Sequence, residues 1–323
     1  MQPLYNVEQP FKRVLVTGCN GQLGRAIRQL AYRKKDIEYY MTDVAQLDIT
    51  DFEAVQAFID QHQITTVINC AAYTAVDAAE NDEEACRLIN AIAPGYLAQA
   101  IERVGGEMIH VSTDYVFDGT ATTPYVEDMP TSPQSVYGRT KAEGEQAVLT
   151  ACKRAAVVRT AWLYAALGKN FVRTMLRLAM ERSEIRVVAD QIGTPTYAPD
   201  LAEVLVEMLY HKAGLVAGIY HYTNEGMASW YDFAVAAIRM ADLDPNCRVL
   251  PCTTADYPTP AKRPAFSLLS KQKIYDTYGV VPKHWFMSLC ECIDYLRQCD
   301  ELPRFPLRRI DTPPLNVVNR AND

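Results

Sequence analysis

Hydrophobic and polar positions alternate along this chain in two periods, one suited to strands and one to helices. KRVLVT (12–17) is a β-branched run ending in a glycine-rich turn, and apolar residues then recur at helical spacing from Leu23 to Ala31. The same alternation predicts a strand at 37–43, a helix at 51–62, a buried strand at 65–72, a long helix at 83–104 and a strand at 107–113. A helix at 136–151, a strand at 155–164 and a helix at 170–182 follow. Repeated βα units require a parallel sheet covered by helices on both faces, so the predicted fold is α/β, a Rossmann-type doubly wound sheet. Beyond residue 183 the rhythm loosens: IRVVAD (185–190) and GIYHYTN (218–224) read as short strands, and 199–211 and 229–243 as amphipathic helices. The proline-rich stretch 256–267 reads as an extended loop, with helices at 270–278 and 286–299. The predicted division is a first α/β domain over 11–165 and a smaller C-terminal α/β region over 166–300, interleaved at the boundary. Residues 1–10 and 301–323 are extensions, the latter an extended or disordered tail.

Composition narrows the function classes. Apolar residues make up 49% and charged residues 22% of the 323, which suits a globular protein. A net charge of −7 gives no global basic footprint for nucleic acid, and no apolar run approaches a membrane span. Nine irregularly spaced cysteines without a secretory leader read as reduced thiols in the cytoplasm. Cys290, Cys292 and Cys299 cluster near His284, but C-x-C without a second pair is a poor zinc signature, and packing on a helix is the better reading.

Two motifs carry chemistry. The first turn reads TGCNGQLG, with Gly18, Gly21 and Gly24 in a G-x-x-G-x-x-G pattern; 15 glycines in 323 residues would give about 0.03 such triplets by chance. Lying between a strand and a helix, it suits a pyrophosphate at a helix N-terminus. Asp43 ends the second strand, where an acid binds adenosine ribose hydroxyls; it favours NADH, while Arg25 nearby leaves NADPH open. Asp48 either lies near the adenine or caps the helix at 51. The second motif is VYGRTK, in which Tyr137 and Lys141 stand one helical turn apart; on spacing alone about 0.65 such pairs are expected by chance, so its meaning depends on context.

Taken with the glycine turn and HVSTDYVFDG, this pair resembles the catalytic group of extended short-chain dehydrogenase/reductases. The segments NCAAYTAVDAAE (69–80), VSTDYVFDGT (111–120), VYGRTKAEGE (136–145), VRTAWLYA (158–165), NFVRTMLRLA (170–179), DQIGTPT (190–196) and YPTPAKRPAFSLL (257–269) occur in the order of the dTDP-4-dehydrorhamnose reductases, a resemblance that runs from about Lys12 to Leu296. It implies NAD(P)H-dependent reduction of the C4 ketone of a dTDP-linked 6-deoxy-4-keto-L-hexose to dTDP-L-rhamnose. In that scheme Tyr137 is the proton donor, Lys141 lowers its pKa and holds the nicotinamide ribose, and Thr113 polarises the ketone oxygen. The resemblance places the cofactor against Gly18, Asn20, Gly21, Gln22, Leu23, Gly24, Asp43, Asp48, Ile49, Ala71, Ala72, Tyr73, Thr74 and Val111, together with Tyr137 and Lys141. It places the sugar nucleotide against Thr113, Asp114, Tyr115, Trp162, Asn170, Gln191, Thr194 and Arg263, the last as a diphosphate ligand. Ala78 stands where many relatives carry lysine. Some relatives dimerise through carboxylates around Mg²⁺, one of them two residues after the last turn glycine; Ala26 stands there, so the resemblance does not extend to that bridge, and a homodimer would need another contact. Two other readings are a non-catalytic regulatory subunit like the beta subunit of methionine adenosyltransferase, and a nucleotide-sugar epimerase or dehydratase that regenerates its nicotinamide.

Overall fold

A computed structural model describes residues 12–33, 36–243, 247–299 and 301–302. The first extension and nearly all of the C-terminal one lie outside the described residues. In the first half, β1 (Lys12–Thr17), α1 (Gln22–Ala31), β2 (Ile37–Met41), α2 (Phe52–Gln61) and β3 (Thr66–Asn69) lead to the short α3 (Val76–Ala79). Next come α4 (Glu83–Arg87), a π-helical turn over Leu88–Ile92, α5 (Ala93–Arg103), β4 (Glu107–Thr113), α6 (Val136–Ala151) and β5 (Ala155–Thr160). The second half holds β6 (Leu163–Tyr164), α7 (Phe171–Glu181), β7 (Glu184–Val188), β8 (Ile192–Gly193), β9 (Thr196–Tyr197) and α8 (Ala198–Met208). It closes with β10 (Gly218–His221), β11 (Ala228–Ser229), α9 (Trp230–Met240), β12 (Arg248–Cys252), α10 (Gln272–Tyr278) and α11 (Trp285–Gln298).

Six strands form one parallel sheet in the order β10-β5-β4-β3-β1-β2. The strands are largely buried on both faces, with apolar centres and buried polar residues mainly toward their ends. Within β1, Val14 and Val16 join the cluster under α1 and α8, while Leu15 joins the one under α2, α5 and α6. Strand order reverses between β1 and β3, and at such a switch point a doubly wound sheet opens a crevice beyond its carboxyl ends.

A second apolar cluster gathers α7, β7, α9 and α11 around Phe233, Leu289 and Ile293. The chain does not pass from one cluster to the other once. After α7 and β7 it returns to the main sheet, with α8 packed beside α1 and β10 paired to β5, before α9 and α11 complete the second cluster.

Local outcomes differ from the periodicity in three places. The helix at 83–104 is interrupted by a π turn, which brings buried Asn90 into contact with the loop after β3. The strand at 155–164 stops at Thr160, because Trp162 takes a left-handed backbone (φ 49°). β12, unexpected from its weakly apolar sequence RVLPC, pairs with β7 as a two-stranded ribbon, where Pro251 is tolerated at an edge.

Candidate active site

A cleft of about 1800 Å³ opens at the carboxyl ends of the sheet, between the two clusters. Its first wall is the glycine turn. Gly18 has φ 64°, and a Cβ there would lie 2.8 Å from Ala71 Cα; a Cβ on Gly24 would strike the Gly18 carbonyl and sit 2.5 Å from Cys19 Cα. These glycines therefore let β1, α1 and the loop after β3 converge. Gly21 caps α1 without a side-chain acceptor, and the first turn of α1 holds no acid, so its N–H groups face the cleft uncompensated. An anionic phosphate suits that end. Asn20, Gln22, Leu23 and Arg25 line the same wall.

Asp43 sits at the end of β2, its carboxylate accepting from Asn20 N (3.0 Å) and Val44 N (2.9 Å) while still lining the cleft. Asp48 lines it too and is locked by the Thr50 N–H and hydroxyl, which hold its carboxyl below the usual range. It is not the cap of α2; Asp51 fills that role by accepting from Ala54 N. Ile49, Ala71, Ala72, Thr74 and Val111 complete the groove. Tyr73 does not line it. Its backbone is clamped by Asn90, and its ring packs with Ala79, Cys86 and Val136.

Tyr137, Lys141 and Thr113 all line the cleft, with the Thr113 hydroxyl beside the Tyr137 phenol. Ser135 caps α6 by accepting from Gly138 N. Gly138 and Gly144 bring the helix against the Tyr115 and Asn90 carbonyls, where any Cβ would collide. On the next turn Glu145 forms a two-pronged buried pair with Arg159 of β5 (2.8 and 2.6 Å) and accepts from Ser112. Burial pushes the Tyr137 phenol well up, with the Thr113 hydroxyl beside it acting the other way. In the free protein burial outweighs every other influence on this phenol. Lys141, buried without a carboxylate of its own, is itself lowered to about 8, and its Nζ donates to Val111 O (2.7 Å). The Thr113 hydroxyl donates to Asp114 Oδ1 (3.0 Å) and must rotate to reach a substrate oxygen.

The far wall joins the turns after β4 and β5 to the second cluster. Asp114 is buried, with its carboxyl pushed up to about 6 by desolvation. Among the described residues its Oδ2 and the Thr160 Oγ1, both in the cleft wall, have no hydrogen-bond partner. Tyr115 stands edge-on to Tyr137, with ring centroids 5.5 Å apart. Arg263 donates to Tyr115 Oη (3.1 Å) and to Asp77 (2.6 Å), so this guanidinium crosses the cleft already paired. Trp162 stacks on Trp230 at 3.6 Å, and Gly193 is bare because a Cβ would meet the Trp162 indole at 2.6 Å. Gln191 lines the cleft and donates to Thr254. Asn170 and Thr194 do not line it: Asn170 caps α7 and donates to Gln22 Oε1 (2.9 Å), and Thr194 donates to Gly226 O. Trp230, Arg182 and Arg186 line the cleft although no motif or periodicity singles them out. The cysteines near His284 do not converge. Cys292 is in the core, Cys299 is exposed, and Cys290 faces Met240.

The site can thus cradle a dinucleotide on one wall and a second, partly aromatic-walled ligand on the other, with a phenol, an amine and a hydroxyl between them. The model of the RmlD substrate binding domain family matches residues 12–298. A probable dTDP-4,6-dihydroxy-2-methyloxan-3-one 4-ketoreductase from Streptomyces antibioticus is 46% identical over 90% of this chain and 98% of its own. The crystal structure of a dTDP-4-dehydrorhamnose reductase from Clostridium acetobutylicum is 45% identical, with a TM-score of 0.84 over 88% of this chain and 99% of that one. That of the Bacillus anthracis dTDP-4-dehydrorhamnose reductase in complex with NADP is 37% identical, with a TM-score of 0.83 over 88% and 99% of the two chains.

Proposed function

The chain belongs to the RmlD substrate binding domain family, and on that premise we propose that it reduces the C4 ketone of dTDP-4-dehydro-6-deoxy-L-mannose to dTDP-L-rhamnose, with NADPH or NADH as reductant. The observation that carries the reading is the convergence of Thr113, Tyr137 and Lys141 where the glycine-turn groove meets the lobe walled by Trp162 and Trp230. Bound in the groove, the nicotinamide supplies hydride to C4. Asp43, Asn20 and the open N-terminus of α1 would hold the adenosine and pyrophosphate portions. Tyr137 keeps its proton until the ketone oxygen becomes an alkoxide, a far stronger base than phenolate, and then donates it. Thr113 turns its hydroxyl from Asp114 to the same oxygen. Lys141, one turn along α6, offsets the phenolate left on Tyr137. Trp162 and Tyr115 wall the sugar and exclude water.

A second reading concerns only the sugar. The Streptomyces antibioticus relative is named for a different dTDP-linked keto sugar at 46% identity, so another dTDP-4-keto-deoxyhexose is the alternative substrate. The epimerase resemblance rests on a neighbour at 20% identity and supports the fold alone. Oxidation of NADPH or NADH is followed by absorbance with each dTDP-keto sugar, with Tyr137→Phe run alongside. One reduced nicotinamide consumed per sugar, with kcat falling about 10²- to 10⁴-fold in the variant, is the expected result. Turnover without net oxidation would point to an epimerase, and no reaction with any dTDP-keto sugar would overturn the assignment.

A further inference from the structure

The buried groups beneath Lys141 carry an inference that rests on the reading of this lysine as part of the proton-transfer group. β4 places His110, fully buried, with Nε2 3.4 Å from Lys141 Nζ. On its other side, His110 Nδ1 lies 3.0 Å from Asn69 Nδ2. The orientation of the Asn69 amide is determined by its neighbours: Ala71 N–H donates to Oδ1 at 3.2 Å and the Thr17 hydroxyl at 2.6 Å. A backbone N–H can only donate, so Oδ1 must face it and Nδ2 must face the histidine. Nδ1 therefore accepts, and a neutral imidazole carries its proton on Nε2, pointing at Lys141. An ammonium has no lone pair, so that form would set two donors against each other. An uncharged amine accepts from Nε2–H and still donates to Val111 O at 2.7 Å.

We propose that His110 is a positioning residue: held in the Nε2–H tautomer by the Thr17–Asn69 relay, it orients Lys141 and biases it toward its uncharged form in the free protein. Below about pH 8 the lysine is charged despite this opposing N–H, and above it the amine prevails until acceptors in the groove take over its N–H groups. Groups facing it from every side fit this arrangement. Glu145, on the same helix, favours the ammonium, but both its oxygens are engaged by Arg159 and Ser112. Cys70 after β3 and Cys86 on α4 are thiols that burial pushes up, Cys70 to about 12, and Tyr137 is held protonated by burial.

The direct test is long-range ¹H–¹⁵N correlation NMR on ¹⁵N-histidine-labelled protein without ligand, with His110→Gln assigning the signal among the five histidines. Between pH 6 and 9 a protonated Nε2 and a bare Nδ1 are expected; an Nδ1–H tautomer or an imidazolium overturns the proposal. Asn69→Asp places an acceptor against Nδ1 and should reverse the tautomer, making Nε2 the acceptor for a lysine ammonium. The alkaline limb of kcat/KM should then move up by about one pH unit. A reversed tautomer with an unmoved limb would show that His110 does not act through Lys141. The wild-type spectrum needs no variant to fold. It also needs no turnover, so failure of the assigned reaction and failure of this tautomer are read separately.

Discussion

Glu145→Gln is expected to destabilise the fold by about 3–5 kcal/mol, the cost of leaving a buried charge without its partner. Glu145 and Arg159 are 1% and 2% exposed, and two hydrogen bonds, of 2.8 and 2.6 Å, join them. What remains around the guanidinium cannot replace the carboxylate: the Glu127 carbonyl at 3.5 Å, His221 Nε2 at 3.4 Å and the Phe117 ring at 5.0 Å. His221 is pushed down to about 3 by burial and so stays neutral. Glutamine matches glutamate in size, so no cavity forms and the loss is electrostatic. Urea unfolding followed by circular dichroism reads it; with m of about 3 kcal/mol/M the midpoint falls by about 1 M or more. The companion Glu145→Leu/Arg159→Met should recover most of the loss, since apolar replacement of both partners removes the uncompensated charge. An unchanged midpoint in the single variant, or a double variant as unstable as the single, would refute the electrostatic account. Activity should fall along with stability, because this pair pins the helix that carries Tyr137 and Lys141.

Gly24→Ala should lower nicotinamide affinity about tenfold or more, measured by cofactor fluorescence, since its Cβ collides with the Gly18 carbonyl and displaces the start of α1. Gly193→Ala should raise KM for the dTDP-sugar on the order of tenfold while leaving nicotinamide binding unchanged, because it dislodges Trp162 and not the glycine turn. Asp114 has a carboxyl raised by burial to about 6, so its contribution to stability is full below about pH 4 and lost as pH rises through 6. Asp114→Asn should therefore be more stable than wild type at pH 7.5, by an amount that shrinks toward pH 4.5 in paired urea titrations, while its activity falls.

Much of this protein is determined by the sequence alone. Strands buried on both faces are rich in apolar and β-branched residues, so β1, β3, β4 and β5 are legible by their apolar centres, and the helices between them by their 3.6-residue period. Gly18 and Gly24 are legible because no other residue fits the turn, and the Tyr137–Lys141 spacing because a helix turn sets it. Only the tertiary structure decides which layer each later element joins. α8 and β10 return to the main sheet although they follow β7, because local periodicity reports that a face is buried and not against what. The same limit applies to single contacts. Arg263 finds Asp77 across 186 residues and Trp162 finds Trp230, so an arginine legible as a phosphate ligand is already paired, and a tryptophan without a motif becomes a wall of the cleft. The buried line from Thr17 through Asn69 and His110 to Lys141 joins three adjacent strands and a helix. Each of its residues is locally an ordinary polar side chain in a strand or on a helix; strand register brings them together, and their burial makes the direction of each hydrogen bond matter.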